Sequence, residues 1–209
     1  MNVTETIIEY LLKTYQPDGI ITYGSFADGS ANENSDFDAL VIAGHEKTHD
    51  ASVIGNTVLD VFVYPAKTFQ AEYDPEDFLQ VYDGKIILDK TGTAGQLKNR
   101  ILDYIDSIPA KTAEEIRQEL DWCGKMYART LRGDAEGYYR WHWLLSDSLE
   151  IYADIRGLHY FGPKKTLRLM EQSDPESFRI CSQALKELNR EYLSDWLSRL
   201  TKLSAGVSD

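Results

Sequence analysis

The chain has 209 residues and a formal net charge of −12, with 43% hydrophobic and 27% charged residues. This length holds one large or two small domains, and this composition is typical of a globular protein with a buried core. Nucleic-acid binding needs clustered Lys and Arg, so 34 acidic against 22 basic residues argue against such a partner and favour a cationic small molecule.

The sequence also predicts where the protein works. No long uncharged apolar run is present, so we expect no membrane span. The first five residues lack the basic start and apolar run of a signal peptide. Cys123 and Cys181 have no metal-ligand spacing and are typical of buried thiols in a reducing compartment. We therefore expect a cytoplasmic protein.

The first part of the chain predicts a small mixed β-sheet flanked by helices. Apolar residues at helical spacing predict a helix over residues 4–15, which ends at Pro17-Asp18-Gly19. Runs rich in β-branched and aromatic residues predict strands over residues 20–23, 36–43, 58–64 and 85–89. Residues 44–55 are polar, and we expect a loop or a partly helical segment there.

The rest of the chain predicts helices only. Helical periodicity recurs over residues 96–105, 112–131, 135–158, 163–171, 175–188 and 190–203, as in an antiparallel bundle. Thr112-Ala113-Glu114-Glu115 predicts a capping box at the start of the second of these helices. Gly92-Thr93-Ala94-Gly95 is the best candidate for a domain boundary. We therefore expect an α+β fold, with a sheet domain over residues 1–92 and a helical domain over residues 93–209.

Three aspartates fall on the predicted strands. Asp36 and Asp38 are two positions apart, so their side chains project from the same face of a strand. Asp60 lies inside an apolar run, where an unpaired buried charge is costly. If the two strands are neighbours, the three carboxylates converge on one spot. Such a set suits divalent ions, Mg²⁺ first, that hold a triphosphate.

A tight turn, Gly24-Ser25, follows the first predicted strand. Gly24 lets an anion approach the backbone closely, and Ser25 offers a hydroxyl to the same phosphate. The following residues predict a helical turn whose free backbone N–H groups face an anion. Taken alone, Gly24 is equally typical of a plain turn.

Gly24-Ser25, then Asp36-Phe37-Asp38, then Asp60 in a later apolar strand together resemble the DNA polymerase β-type nucleotidyltransferase superfamily. The small bacterial aminoglycoside and lincosamide nucleotidyltransferases, which have a helical C-terminal half, look nearest. The resemblance implies that residues 1–92 form the catalytic domain and residues 93–209 a helical substrate-binding domain. One position departs from the pattern, since many relatives have a basic residue where this chain has Asp28.

The resemblance implies a Mg²⁺-dependent reaction with two ions. A nucleoside monophosphate, AMP in our expectation, would pass from ATP or another nucleoside triphosphate to a hydroxyl of a small acceptor, releasing pyrophosphate. Asp36 and Asp38 would bridge the ions, and Asp60 would bind the ion that lowers the pKa of the acceptor hydroxyl. Gly24 and Ser25 would hold the terminal phosphates. An aminoglycoside-like cationic molecule is the expected acceptor.

The helical half adds two candidates. In the relatives, a glutamate from outside the sheet can act as general base on the acceptor hydroxyl, and Glu150 is our candidate for that role. The alternative is a solvated helix face with ion pairs worth under about 1 kcal/mol. Lys164 or Lys165 would supply a cation to the triphosphate in place of the basic residue absent at Asp28. The alternative is that these lysines only decorate a helix start.

Two rival interpretations remain open. The acceptor is a protein side chain in the first, as in the small antitoxin-type nucleotidyltransferases that modify a partner toxin. Those relatives have little beyond the catalytic domain, so the long helical half counts against it. The second is a non-catalytic nucleotide-binding or scaffold protein, and the three intact aspartates speak against that.

Overall fold

The computed structural model describes residues 2–206 and divides the chain into two compact units, with the division after Ile108. A helix over residues 93–107 belongs to the first unit, so the division follows that helix, whereas the sequence predicted a boundary between residues 92 and 93. Residues 207–209 of the predicted helical domain lie outside the described residues. The predicted fold class, a mixed sheet with flanking helices followed by a helical region, is confirmed.

The first unit combines six strands with helices on both faces. The strands are β1 (Gly19–Tyr23), β2 (Phe37–Ala43), β3 (Thr48–Asp50), β4 (Val53–Ile54), β5 (Thr57–Pro65) and β6 (Lys85–Asp89). The helices are α1 (Val3–Tyr15), α2 (Gly24–Asp28), α3 (Ala66–Gln70), a 3-10 helix (Pro75–Val81) and α4 (Thr93–Ser107).

The strand order is β3-β5-β2-β1-β6, with β4 paired to β5. β2 and β5 run parallel, and the other pairs are antiparallel, so the sheet is mixed. The prediction of a loop or partly helical segment over residues 44–55 was wrong, because β3 and β4 form there. Both are too short to carry a periodic signal, and pairing with the edge of β5 determines their conformation.

Each face of the sheet is covered by helices. On one face, Ile7 and Leu11 of α1 pack on alternate residues of the central strands, such as Val41 and Val61. A capping box fixes the start of α1, since Asn2 and Glu5 bond each other's backbone. On the other face, α4 and the 3-10 helix pack on the intervening residues, such as Leu40. Asp38 and Asp60 alternate with the first set along β2 and β5 and therefore belong to this second face.

The second unit is helical. Its helices are α5 (Ala113–Thr130), α6 (Ala135–Ile155), α7 (Pro163–Ser173), α8 (Pro175–Lys186) and α9 (Arg190–Ser204). The predicted capping box at Thr112 and Glu115 is confirmed, since each side chain bonds the other's backbone amide. The core centres on Tyr152 and Trp196, which are both fully buried. Across residues 2–206, no helix has the length and apolar character needed to cross a membrane.

Candidate active site

Three side chains form a row across the centre of the sheet. Tyr23 pairs with Asp38 in the β1–β2 register, and Asp38 pairs with Asp60 in the β2–β5 register. Residues opposite each other on neighbouring strands project from the same face of the sheet. The parallel pairing of β2 with β5 therefore brings two aspartates together from positions far apart in the sequence.

Gly24 lies directly against one of these carboxylates. α2 begins at Gly24, immediately after β1, and the φ angle of Gly24 is 64°. A Cβ atom at this position would lie 2.3 Å from Oδ2 of Asp38, which is far inside van der Waals contact. Only glycine fits here, both because of the positive φ angle and because of the carboxylate. The contact with Asp38 therefore makes Gly24 part of the candidate site.

The neighbouring residue, Ser25, is buried in the first turn of α2. Its carbonyl accepts hydrogen bonds from the amides of Gly29 and Ala31, each at 3.1 Å. The helical turn expected after Gly24-Ser25 is therefore present. It begins directly after β1, and its first residue, Gly24, lies against Asp38.

Asp36 has a different setting from the other two aspartates. β2 begins at Phe37, so Asp36 precedes the strand and is exposed, whereas Asp38 and Asp60 are half-buried. Between residues 2 and 206, no group of three or more His, Cys, Asp or Glu side chains is close enough to hold a metal ion as it stands. Asp38 and Asp60 form the paired centre, and Asp36 is an outlying carboxylate just before the start of β2.

Sequence analysis missed the partner of Asp60. Nε2 of His49 donates a hydrogen bond to Oδ1 of Asp60 at 2.7 Å. The His49 ring also stacks on Phe62, with ring centroids 4.6 Å apart and planes 27° from parallel. The sequence carries little signal for this contact, because His49 is the middle residue of a three-residue strand. The pairing of β3 with β5 creates it.

The row of side chains carries concentrated negative charge. Burial raises the pKa of the Tyr23 hydroxyl above its ordinary range, and the charges of Asp38 and Asp60 raise it further. Two adjacent carboxylates repel each other, and a divalent cation between them relieves that repulsion. Oxygen ligands of this kind are those that Mg²⁺ prefers, so the residues present fit a magnesium ion.

The other two candidates belong to the helical unit. Glu150 is exposed on α6, and Lys164 is exposed at the second position of α7. The neighbouring Lys165 holds its Nζ atom 5.7 Å from the centroid of the Phe161 ring. The roles of Glu150 as general base and of Lys164 as a phosphate-binding cation remain predictions.

Glu150 lines a cavity of about 520 Å³ in the helical unit. The wall carries an aromatic ring, an aliphatic residue, an amide, four carboxylates and one ammonium group: Trp122, Ile151, Gln118, Glu115, Glu119, Asp147, Glu150 and Lys111. Lys111 pairs with Glu119 and with Asp154. Burial raises the pKa of the Glu119 carboxyl and that of the Asp147 carboxyl above the ordinary values. With four carboxylates and one ammonium group, acidic side chains outnumber basic ones along this wall.

Comparison with known proteins identifies the first unit. A family model described as a nucleotidyltransferase domain matches residues 4–106. Curated proteins gave no significant match. Among solved structures, the crystal structure of a nucleotidyltransferase-like protein from Exiguobacterium sibiricum aligns with 97% of this chain and 73% of that chain, at 18% identity and a TM-score of 0.37. That similarity is too low to support an argument about function. The chain therefore carries a nucleotidyltransferase domain over residues 4–106.

Proposed function

We propose that the protein is a Mg²⁺-dependent nucleotidyltransferase that moves a nucleoside monophosphate, AMP in the first instance, from a nucleoside triphosphate to a hydroxyl of a small cationic acceptor. The domain match supports nucleotidyl transfer in general. The donor, the metal and the acceptor are the proposed part. The reaction forms a bond from the acceptor oxygen to the α-phosphorus, breaks the bond from that phosphorus to the pyrophosphate oxygen, and releases pyrophosphate.

The observation that carries this proposal is the register of β2 and β5, which sets Asp38 opposite Asp60, beside the start of α2. Asp38 and Asp60, with Asp36 as an outlying third ligand, would hold Mg²⁺, which when bound neutralises phosphate charge and lowers the pKa of the acceptor hydroxyl. The absence of a Cβ atom at Gly24 lets the Asp38 carboxylate lie against the start of α2, and the first turn of α2 would offer backbone N–H groups to the phosphates.

Charge supports the choice of a cationic acceptor. The chain has a formal net charge of −12, which favours the approach of a cation over that of an anion. The cavity in the helical unit has a carboxylate-rich wall with Trp122 for an apolar or ring-shaped part of a ligand. Glu150, one of the lining residues, would accept the proton of the acceptor hydroxyl as general base.

The test is a transfer assay on the full chain. The protein is incubated with Mg²⁺, α-labelled ATP, and a panel of aminoglycosides and lincosamides, and products and pyrophosphate are quantified. We expect label on a small cationic acceptor, stoichiometric pyrophosphate, and loss of both in Asp38→Asn. The same assay in lysate locates the label. Label on a protein would overturn the small-molecule acceptor, and absence of ATP binding in calorimetry with Mg²⁺ would overturn the enzyme assignment.

A further inference from the structure

Asp60 is held by a side chain from outside the nucleotidyltransferase motif. His49 lies on β3 and pairs in register with Phe62, so its ring lies diagonally across from Asp60 on the same face. Its Nε2–H donates to Oδ1 of Asp60 at 2.7 Å, a short hydrogen bond. The ring stacks on Phe62 at the same time. Two contacts therefore fix the imidazole, although 47% of its side chain is exposed.

The strand that carries His49 is itself anchored from the opposite face. Asp50, the next residue, is buried and accepts hydrogen bonds from the hydroxyls of Tyr15, at 2.8 Å, and Tyr10, at 3.1 Å. Its other oxygen accepts from the amide of Ser52 at 2.9 Å. Successive residues of a strand face opposite sides, so β3 is tied to α1 through Asp50 while His49 reaches Asp60. The hydrogen bonds of Asp50 therefore hold β3 in place, and β3 in turn holds His49 against Asp60.

We propose that His49 is a positioning residue that sets the orientation of the Asp60 carboxylate for metal and substrate. The inference rests on the proposed function, since it assigns Asp60 a ligand role. The torsion that turns a carboxylate is broad and weakly restrained on its own. A hydrogen bond to Oδ1 fixes the carboxylate plane and commits that oxygen, so Oδ2 is the atom directed at a cation. His49 acts through Asp60 and contacts neither substrate nor metal.

Two substitutions separate the hydrogen bond from the ring. His49→Phe keeps an aromatic ring on Phe62 but removes the donor. His49→Gln removes the ring but places a side-chain amide N–H at about the same reach. His45→Phe is the matched control, because His45 lies in the same segment and contacts Tyr15, on the α1 side. Asp60→Asn serves as the reference for a lost ligand.

The primary measurement is Mn²⁺ binding to the full-length protein by calorimetry, with Mn²⁺ as the probe for the divalent-ion site. We expect His49→Phe to weaken Mn²⁺ binding by roughly tenfold or more, the size found when a partner of a metal ligand is removed. His49→Gln should recover most of that loss, and His45→Phe should bind as the wild type does. In turnover, His49→Phe should lower kcat more than it raises KM for ATP.

The outcomes distinguish failure of this inference from failure of the proposed function. If Asp60→Asn loses Mn²⁺ but His49→Phe binds like the wild type, His49 does not position Asp60 and the proposed function stands. Equal weakening in His49→Phe and His49→Gln would also overturn the inference, because an N–H donor at this position would then fail to restore Mn²⁺ binding. If the wild type binds no Mn²⁺, or Asp60→Asn binds it normally, both proposals fall. Thermal unfolding confirms that each variant is folded.

Discussion

Asp174 in the helical unit and Asp60 in the sheet unit have opposite surroundings. In the helical unit, Asp174 is buried and accepts hydrogen bonds from Ser177, from the Tyr152 hydroxyl at 3.2 Å and from Nη2 of Arg199 at 3.0 Å. In the sheet unit, Asp60 is 43% exposed, faces a second carboxylate in register and accepts one hydrogen bond from His49. The contacts of Asp174 stabilise the fold. The carboxylates of Asp60 and Asp38 repel each other, and such like-charge pairs are typical of functional sites.

The comparison predicts the largest effect for removal of the Asp60 charge. In Asp60→Asn, transfer activity should fall by about a thousandfold or more, which is about 4 kcal/mol of transition-state stabilisation. The fold should remain intact or become slightly more stable, because repulsion with Asp38 is relieved. Steady-state kinetics and thermal unfolding measure the two effects. Asp103→Asn, an exposed change on α4, is the control. Turnover of Asp60→Asn at the wild-type rate would remove Asp60 from the site.

The second prediction concerns Asp174 in the helical unit, where we expect a substitution to lower stability. Asp174→Ala should lower the free energy of unfolding by about 3 kcal/mol, because it removes the buried carboxylate that pairs with Arg199 and the N-cap of α8. Urea unfolding measures this loss, with Asp195→Ala, an exposed change on α9, as the control. Equal stability of Asp174→Ala and Asp195→Ala would show that the hydrogen bonds of Asp174 add little.

Sequence patterns could predict most of this architecture. β6 and the capping box at Thr112 were predicted where they occur, since strong apolar runs and capping residues are local signals. The adjacency of the Asp38 and Asp60 strands was a condition that the pattern left open, and the register of β2 and β5 meets it. Strand pairing depends on contacts between distant segments, which local periodicity does not encode.

Two features of the site could not be predicted from the sequence, each for its own reason. β3 is three residues long, so nothing in Thr48-His49-Asp50 shows a strand, and its contact with Asp60 depends on pairing with β5. The departure of Asp36 from β2 is a boundary effect: the strand pairs from Phe37 onward, and the same-face rule applies only within a strand. Glu150 and Lys164 had no distinctive motif, and their roles remain predictions.

A third prediction tests the contact between Gly24 and Asp38 in the sheet unit. Gly24 and Gly29 both have positive φ angles, 64° and 83°, so alanine is strained by roughly 1 kcal/mol at either position. At Gly24 the new Cβ would also meet Asp38, whereas at Gly29 it would meet nothing within 4 Å. We expect Gly24→Ala to lose about tenfold more activity than Gly29→Ala, measured as kcat/KM. Equal losses would mean that the contact with Asp38 is unimportant for transfer.

The smallest expected effect is on stability in acid, and it concerns Asp50 in the sheet unit and Asp174 in the helical unit. Burial alone would raise the pKa of both carboxyls. Hydrogen bonds from Ser52 and the two tyrosines nevertheless hold the pKa of Asp50 below its ordinary value. Hydrogen bonds from Ser177 and the charge of Arg199 lower the pKa of Asp174 in the same way. Because the folded-state pKa is lowered, the stability from each group is present above the unfolded value of about 3.9 and is lost as the pH falls through the folded-state value.

Unfolding monitored from pH 7 down to pH 2 checks this direction. The wild type should lose stability steadily on the acid side of about pH 4. Asp50→Asn and Asp174→Asn should each start less stable at pH 7 and show a shallower decline, because the group that titrates is gone. The two slopes report separately on the sheet unit and the helical unit. A decline as steep in both variants as in the wild type would place the acid sensitivity in other carboxylates.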